Sequence, residues 1–501
     1  MSESAAPPLN ILWICTDSQR WDTLGCYGNP FVNTPNLDRL AAEGIRFEHC
    51  YSQSPLCTPS RGSFLTGRYP STTRLRQNGQ ETPEDLGAYL LPRMLRDEAD
   101  YVCGLSGKLH LSHCNQREKW GEDFWKFPSQ HQLTPYEKRL DDDGYSVFHW
   151  AHGTHENPYD AYSQWLYQRG QGLDASFFEG RERGPQVKEG VPAEFTHTAF
   201  CVDKAVEFID LHHAKDMPYP WMFSVNIVDP HPDFHVPKEC LDRYMDILDD
   251  IPLPVVEEDQ LAGKPSYQHE SYLKGEEKSQ IHMSDHDRRL IKAAYWAMCD
   301  HIDDQVGLLL EALERTGQRE NTLVVFTSDH GELLGDHGRT WKGAYLYDPA
   351  VRVPLIFSMP GTLPQGLVST GMVELTDLAP TFREAARLPV AKSMQGRSIW
   401  PALKGEADLD TLREDIYTEY YNANPGRKER WLNMLRTPTH KLMACHGTSE
   451  GELYDMEADP HELHNLWEDP SKQELKMKLL LRLSARTSYT ADPLPERRGI
   501  F

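Results

Sequence analysis

The chain has 501 residues, 39% hydrophobic and 26% charged, enough to bury a large core and to divide into more than one domain-sized unit. Its 52 basic and 76 acidic side chains leave a formal charge of -24. That balance argues against nucleic acid as the main partner, because phosphate-backbone binding draws on surplus Lys and Arg. It does not exclude a small anionic substrate, which a local cluster of cations can hold on an acidic protein.

The first residues, MSESAAPPLN, are polar and lack a basic n-region, a long apolar h-region and a small-residue cleavage site, so no signal peptide is expected. No stretch approaches the ~20 apolar residues of a membrane helix, so no membrane partner is expected. Ten cysteines without regular spacing read as mostly reduced, buried thiols. Together these features make the cytoplasm the expected compartment.

Short apolar runs alternate with helical patterns, which predicts an α/β fold with a large, mostly parallel sheet flanked by helices. Buried strands are expected at 10–16 (NILWICT), 101–106 (YVCGLS), 221–228 (WMFSVNIV), 322–327 (TLVVFT) and 354–358 (PLIFS). Helices are expected at TPNLDRLAAEG, capped by Thr34 or Asn36, around 195–214, and from about 284 to 315 with Gly317 as its stop. Two segments, near 113–195 and 237–283, show little periodicity and read as insertions over the active face. After 396–403 the texture changes: EDIYTEYY, WLNMLRT and HKLMACHG read as antiparallel strands, followed by a helix over about 471–487. The expected division is a catalytic domain at 1–389 and a smaller C-terminal α+β domain at 390–501.

Polar residues sit where these strands end. Asp17 follows the first, Lys108 and His110 the second, Asp229 and His231 the third, and Asp329 and His330 the fourth. Ligands of open α/β sheets bind beyond the carboxyl ends of the strands, so these groups should converge on one edge. A single Asp there is usually a cap or a turn; four strand ends of this kind point to a site. Cys57 lies in SPLCTPSRGSFLTGR, where Pro59 suits a first helical turn and Thr58 a cap. Cys57 would then stand at a helix N-terminus, which favours anions, with Arg61 one turn on. An arbitrary Cys is a buried apolar thiol; one at a helix start beside Arg is a candidate nucleophile.

The segment CTPSRGSFLTG resembles the C-x-P-S-R motif of type I, formylglycine-dependent sulfatases of the alkaline phosphatase superfamily. NILWICTDSQRWDTLGCYGN, TPNLDRLAAEGIRF, GKLH, DPHPDF, TSDHGELLGDHG and ELYDMEADPHELHNL resemble further sulfatase landmarks in the expected order. The resemblance implies an alkaline phosphatase-like fold, sulfate-ester hydrolysis, and oxidation of Cys57 to formylglycine by a separate maturing enzyme. It also implies one divalent metal, Ca2+ or Mn2+, held by Asp17, Asp329, His330 and the modified Cys57. Arg61, Lys108 and His110 would surround the formylglycine and the sulfate, and His231 and Lys342 would face the leaving-group oxygen. Chemical logic agrees: a metal polarises the sulfate, a hydroxyl of the hydrated aldehyde attacks sulfur, and an acid protonates the departing alkoxide. The second hydroxyl then expels sulfate, with His110 as base.

One departure stands out. The family usually carries two adjacent carboxylates after the first strand, whereas here Ser18 follows Asp17, with Gln19 as a further oxygen donor. Fewer anionic ligands weaken the case for strict calcium binding and admit manganese. Related phosphonate monoester hydrolases also have a neutral residue there, so phosphonate or phosphodiester hydrolysis is the alternative activity, while the GKLH pair favours sulfate. A non-catalytic metal-binding relative is the alternative from another class; the joint presence of Cys57, Arg61, Lys108, His110, His231 and Lys342 argues against it. Asn78 is a further candidate for substrate contact. Asp336 and His337 read as loop structure, His113 and His235 as surface residues by default, and the pair His212 and His213 as solvated. The tail PLPERRGIF is the segment available to pack on a second copy of the chain.

Overall fold

The computed structural model describes residues 8–80, 82–83, 85–111, 143–151, 161–171, 175–257, 259, 261–274, 280, 282–423 and 430–494. His113 and the end of the C-terminal tail lie outside them. The strands are β1 (Asn10–Thr16), β2 (Ile45–Tyr51), β3 (Val102–Gly107), β4 (Val147–Trp150), β5 (Glu182–Gly184), β6 (Val187–Glu189), β7 (Trp221–Asn226), β8 (Phe234–Val236) and β9 (Thr322–Ser328), followed by β10 (Arg352–Val353), β11 (Leu355–Ser358), β12 (Leu367–Glu374), β13 (Ile416–Tyr421), β14 (Trp431–Arg436), β15 (His440–Cys445) and β16 (Gly451–Asp455). Nine of them form one sheet in the order β10-β2-β11-β9-β1-β7-β3-β4, with β12 paired to β2. Its centre, β9-β1-β7-β3-β4, is parallel, and β11 and β10 run antiparallel on the other side. A second, antiparallel sheet holds β13 to β16, and a small third one holds β5, β6 and β8.

The central strands are buried on both faces, so β1, β7 and β9 read as continuous apolar runs rather than alternating ones. Five helices frame the site and the C-terminal sheet: α1 (Pro35–Ala42), α2 (Cys57–Thr66), α3 (His197–Ala214), α4 (Asp285–Arg315) and α5 (Gln473–Tyr489). Every residue of α2 is buried. Its Phe64 meets Trp13 of β1 edge to face, with centroids 4.8 Å apart. Such a pair contributes about 0.5–1.5 kcal/mol beyond area burial. β2 and β12 were not expected from the sequence, because β2 alternates buried and half-buried positions and β12 begins with two exposed residues. Both supposed irregular insertions contain short helices, Ala161–Gln168 in the first and Lys238–Met245 and Ser266–Lys274 in the second. Elements of two turns leave too short a periodic signal to detect.

Helix ends show where local rules yield to tertiary contacts. Thr196 and Ser284 cap α3 and α4 with their side chains, accepting from the N–H groups of Ala199 and Asp287. Thr34, rather than Asn36, takes the cap position of α1 but makes no side-chain cap bond. Asp303 of α4 does that work instead, accepting from Leu37 N at 2.7 Å and from Asn36 N at 3.1 Å and its Nδ2 at 2.9 Å. The same correction applies to His212, which is buried and bonded to the carbonyl of Tyr219, while only His213 is exposed. The nine described cysteines are all free thiols, eight of them buried. Among the described residues no helix is long and apolar enough to cross a membrane.

The C-terminal sheet is tied to the main one through buried ion pairs. Lys441 of β15 lies 2.9 Å from Asp348 and 2.8 Å from Glu462, and Arg413 joins Glu374 at 2.8 Å and Asp377 at 2.5 Å. The cross-helix cap gives a test of the frame. Asp303→Ala should lower the stability by about 1–3 kcal/mol, because it strands the buried N–H of Leu37 and the half-buried N–H of Asn36. Asp303→Asn, which keeps an acceptor oxygen, should lose less; equal urea midpoints for wild type and both variants would show that the cap contributes nothing.

Candidate active site

The parallel ladder continues one residue past the strand ends and so brings the polar residues into register. Asp329 N–H donates to Thr16 O at 3.1 Å, Lys108 N–H to Asn226 O at 3.0 Å, and Asp17 N–H to Asp229 O at 3.4 Å. At that edge Asp17, Cys57, Asp329 and His330 each offer one ligand atom, all within 4.8 Å of one another and all buried. Cys57 Sγ lies 3.2 Å from His330 Nε2 and 3.7 Å from Asp17 Oδ1, and Nε2 lies 3.6 Å from Asp329 Oδ1 and 3.8 Å from Asp17 Oδ1. Ligands about 2.0–2.4 Å from a single ion span separations of this order. His330 Nδ1 is turned to Gly331 O at 2.8 Å, which leaves Nε2 as the ligating atom. Two buried carboxylates, an imidazole held in one tautomer and a nucleophilic side chain fit one divalent ion.

Asp17 is the hub of the charges. Its Oδ2 accepts from Lys108 Nζ at 2.5 Å and Arg61 Nη2 at 3.3 Å, while Oδ1 accepts from Ser18 Oγ at 2.9 Å and lies 3.7 Å from Lys342 Nζ. Burial opposes its ionisation, yet Lys108, Lys342, His231 and Arg61 hold it well below the usual carboxylate range. Asp329 is the other member of the pair: burial and the charge on Asp17 push it up, against His330 and Arg61. Cys57 is disfavoured as thiolate by burial and Asp17, but Lys108, Lys342 and His330 outweigh them and hold the thiol well below its ordinary value. Three cations thus stand against two carboxylates, so this corner of an acidic protein favours an anion.

The helix carrying Cys57 starts earlier than the motif suggested. Leu56 is the cap residue, Cys57 the first helical residue and Thr58 lies inside the helix. Thr58 is therefore not the cap. Its N–H is taken by Asn78 Oδ1 at 3.0 Å, and Pro59 has no N–H to offer. Anion binding here rests on side-chain cations more than on the helix end. Arg61, 1% exposed, spends its guanidinium on Asp329 Oδ2 at 2.9 Å, on Asp17 and on Lys108 O at 2.9 Å. It locks the two carboxylates and the Lys108 turn together.

Ser18 has φ of +66°, rare for a residue other than Gly, Asn or Asp. The strained turn is held by Asp329 Oδ1, which accepts Ser18 N–H at 3.2 Å, and by Tyr295 of α4, whose hydroxyl donates to Ser18 O at 2.5 Å and accepts Arg20 N–H at 3.0 Å. Ser18 Oγ receives Lys342 Nζ at 3.0 Å. Gln19 sends Nε2 to Thr23 Oγ1 at 3.1 Å, and its Oε1 is buried with no hydrogen-bond partner among the described residues.

Around this buried cluster lies a rim open to solvent. Asn78 is exposed, and His110, His231, Trp341 and Lys342 are half-buried. Asn78 Nδ2 reaches to 3.8 Å from Cys57 Sγ. His110 hydrogen-bonds Cys57, and burial together with Lys108 pushes its imidazole down to about 4, so it is neutral at neutral pH. His231 turns Nδ1 to Pro232 O at 2.5 Å and stands edge-on to Trp341, with centroids 6.0 Å apart. Asp336 is engaged in the loop, accepting from Arg20 Nη1 at 2.7 Å and Val255 N at 2.7 Å. His337 stacks on Tyr347 at 3.8 Å, and His235 is half-buried in β8. Tyr295, Trp341 and Glu332, which supports Trp341, were not singled out from the sequence. Tyr295 enters from a distant helix and Trp341 from an irregular loop, while Glu332 lies within TSDHGELLGDHG, of which only Asp329, His330, Asp336 and His337 were singled out.

Arg61→Ala should destabilise the fold by about 3–5 kcal/mol, since it leaves two buried carboxylates facing each other without their cation. Arg61→Lys should recover only part of this, because one ammonium cannot serve three acceptors; full recovery in thermal melts would contradict the bracing role. Equilibrium dialysis against Mn2+ or Ca2+ should give one ion per chain, and none in Asp329→Ala. Two ions per chain would contradict the single cluster.

The sequence pattern of the Sulfatase family matches residues 9–388, and that of the N-sulphoglucosamine sulphohydrolase C-terminal region matches residues 335–488. The chain is 27% identical to an N-acetylglucosamine-6-O-sulfatase of Bacteroides thetaiotaomicron, over 98% of this chain and 89% of that protein. It is 28% identical to an arylsulfatase of Clostridium perfringens, over 96% of each. In structure it resembles a phosphonate monoester hydrolase from Silicibacter pomeroyi, with a TM-score of 0.79 at 24% identity, over 97% of this chain and 96% of the other. The fold is that of the alkaline phosphatase superfamily. The chain belongs to the sulfatase family and is a sulfuric ester hydrolase.

Proposed function

We propose that the chain hydrolyses sulfate monoesters with the side chain of Cys57, oxidised to formylglycine, as its nucleophile. The observation that carries this reading is the seat of Cys57: it touches the Asp17, Asp329 and His330 cluster on one side and His110 and Asn78 on the other, with Lys108 and Lys342 joined to the same Asp17. Lys108 and His110 are the pair in GKLH that favours sulfate over phosphonate. Cys57 is 1% exposed and the whole of α2 is buried, so a separate maturing enzyme must reach it before the chain closes.

Asp17, Asp329 and His330 would hold a divalent ion, Ca2+ or Mn2+, together with the modified Cys57; when bound, the ion supplies Lewis acidity toward the sulfate oxygens. Cys57, once oxidised to formylglycine and hydrated, would supply an attacking hydroxyl and a second hydroxyl that lets sulfate leave. The chain's own residues do the rest. Lys108 and Lys342 balance the negative charge of the sulfate oxygens, while Arg61 holds Asp17 and Asp329 in place. Acting as the imidazolium, with Nδ1–H donated to Pro232 O, His231 would give its Nε2 proton to the departing ester oxygen and be left neutral. Neutral His110 takes a proton beside Cys57 as sulfate leaves.

Sulfated sugars and aryl sulfates, which the relatives' names carry, come first among substrates to try; choline-like and alkyl sulfates complete the panel. Ser18, a neutral residue where the family has a second acid, favours phosphonate monoesters or phosphodiesters as the second reading, as does the short spacing from Asp329 to Lys342. Side-by-side kcat/KM values should rank a sulfate ester above every phosphonate, and the opposite ranking would move the function to the second reading. His231→Ala should slow alkyl sulfates by roughly 10²–10⁴ while leaving nitrophenyl sulfate far less affected, because only the alkoxide needs protonation. Parallel dependences on leaving-group pKa for wild type and variant would show that His231 is not the acid.

A further inference from the structure

Glu332 is fully buried, two residues past His330. One of its oxygens, Oε1, accepts two backbone N–H groups, that of Leu334 at 3.2 Å and that of Trp341. These lie on the two arms of an irregular loop in which Leu334, Gly335, His337, Gly338, Trp341 and Gly343 all have positive φ. For an indole-bearing residue such as Trp341, at φ of +75°, that conformation must be imposed from outside. Leu333 N–H already donates to Trp341 O at 3.1 Å, and the Glu332 carboxylate supplies the acceptor for Trp341 N–H that a regular strand pair would have supplied.

The base of the brace cannot shift. Gly331 N–H and Glu332 N–H donate to Ala350 O and Pro349 O at 2.9 and 2.8 Å, and a Cβ at Gly331 would stand 2.0 Å from Pro349 O. The residue after Trp341 is Lys342, whose ammonium reaches Ser18 Oγ at 3.0 Å beside Asp17. We propose that Glu332 is a positioning residue of the reaction: by fixing Trp341 N–H it aims Lys342 at the reaction centre and sets Trp341 against His231. This deepens the reading above, since it rests on Lys342 acting at the sulfate ester. The brace is assigned to hydrogen-bond geometry, although the carboxylate also faces the charges of Lys342 and His231. Oε2 is buried and has no hydrogen-bond partner among the described residues, so replacing it by an amide nitrogen breaks no hydrogen bond.

The ordering of two conservative variants separates geometry from charge. Glu332→Gln keeps the doubly accepting oxygen and loses the charge; Glu332→Asp keeps the charge and, one methylene shorter, cannot reach both arms. We expect Glu332→Gln to hold kcat/KM for an alkyl sulfate near wild type, and Glu332→Asp to lose up to roughly 10²-fold, the usual consequence of a misplaced group. In a Lys342→Ala background Glu332→Asp should add little, because the two substitutions remove the same interaction. Divalent metal content should stay at one per chain in all of them. The reverse order, Asp retained and Gln lost, overturns the brace, as does a full additional loss in the Lys342→Ala background or a loss of metal in Glu332→Asp. A Lys342→Ala variant as fast as wild type on every ester would instead sink the assignment of Lys342 itself.

Discussion

The carboxylate of Asp17 is withdrawn from water at the end of the central strand and is surrounded by Lys108, Arg61 and Lys342, with Ser18 Oγ on its other oxygen. A buried charge is tolerated only when its partners are fixed, and each of these partners arrives from a different element. Lys108 comes from the end of β3, Arg61 from α2, Lys342 from the loop beyond β9, and Ser18 from the next residue in the chain. Asp17 therefore orders four segments at once. Losing any one partner leaves the others facing an uncompensated group, so stability and activity are bound together at this point.

The remaining structure keeps those elements in register. Parallel pairing of β1 with β7 and β9 makes the strand ends coincide, and the ladder carries the register one residue further into the site. Helix α2, dry on all sides, delivers Cys57 and Arg61 from one rigid turn. Tyr295 and Glu332 act from outside the chemistry: one holds the strained turn at Ser18, the other the strained turn at Trp341. Strain of this kind persists only where neighbours over-determine it, and both turns carry a charge-bearing residue of the site on the adjacent position.

Much of this was legible in the sequence because apolar runs and the polar residues that end them are local features. The strands at NILWICT, WMFSVNIV and TLVVFT, the long helix from Ser284, and the convergence of Asp17, Lys108, Asp329 and His330 all follow from that pattern. Where the reading failed, a distant partner had replaced a local rule. Thr58 is a sound cap by composition, but Asn78 takes its N–H and the helix begins at Cys57. Asp303 caps α1 from another helix. Trp341 was invisible because a loop of left-handed residues has no periodicity to read.

Mass spectrometry of the tryptic peptide containing Cys57, taken from protein of known specific activity, tests the account most directly. If formylglycine is the nucleophile, the fraction of peptide in which the thiol-bearing side chain has become an aldehyde should rise in proportion to sulfatase activity across preparations. Cys57→Ser, which cannot be matured to the same product by thiol oxidation, should be inactive while still binding one divalent ion. Full activity in protein whose peptide carries only the intact thiol would contradict the account.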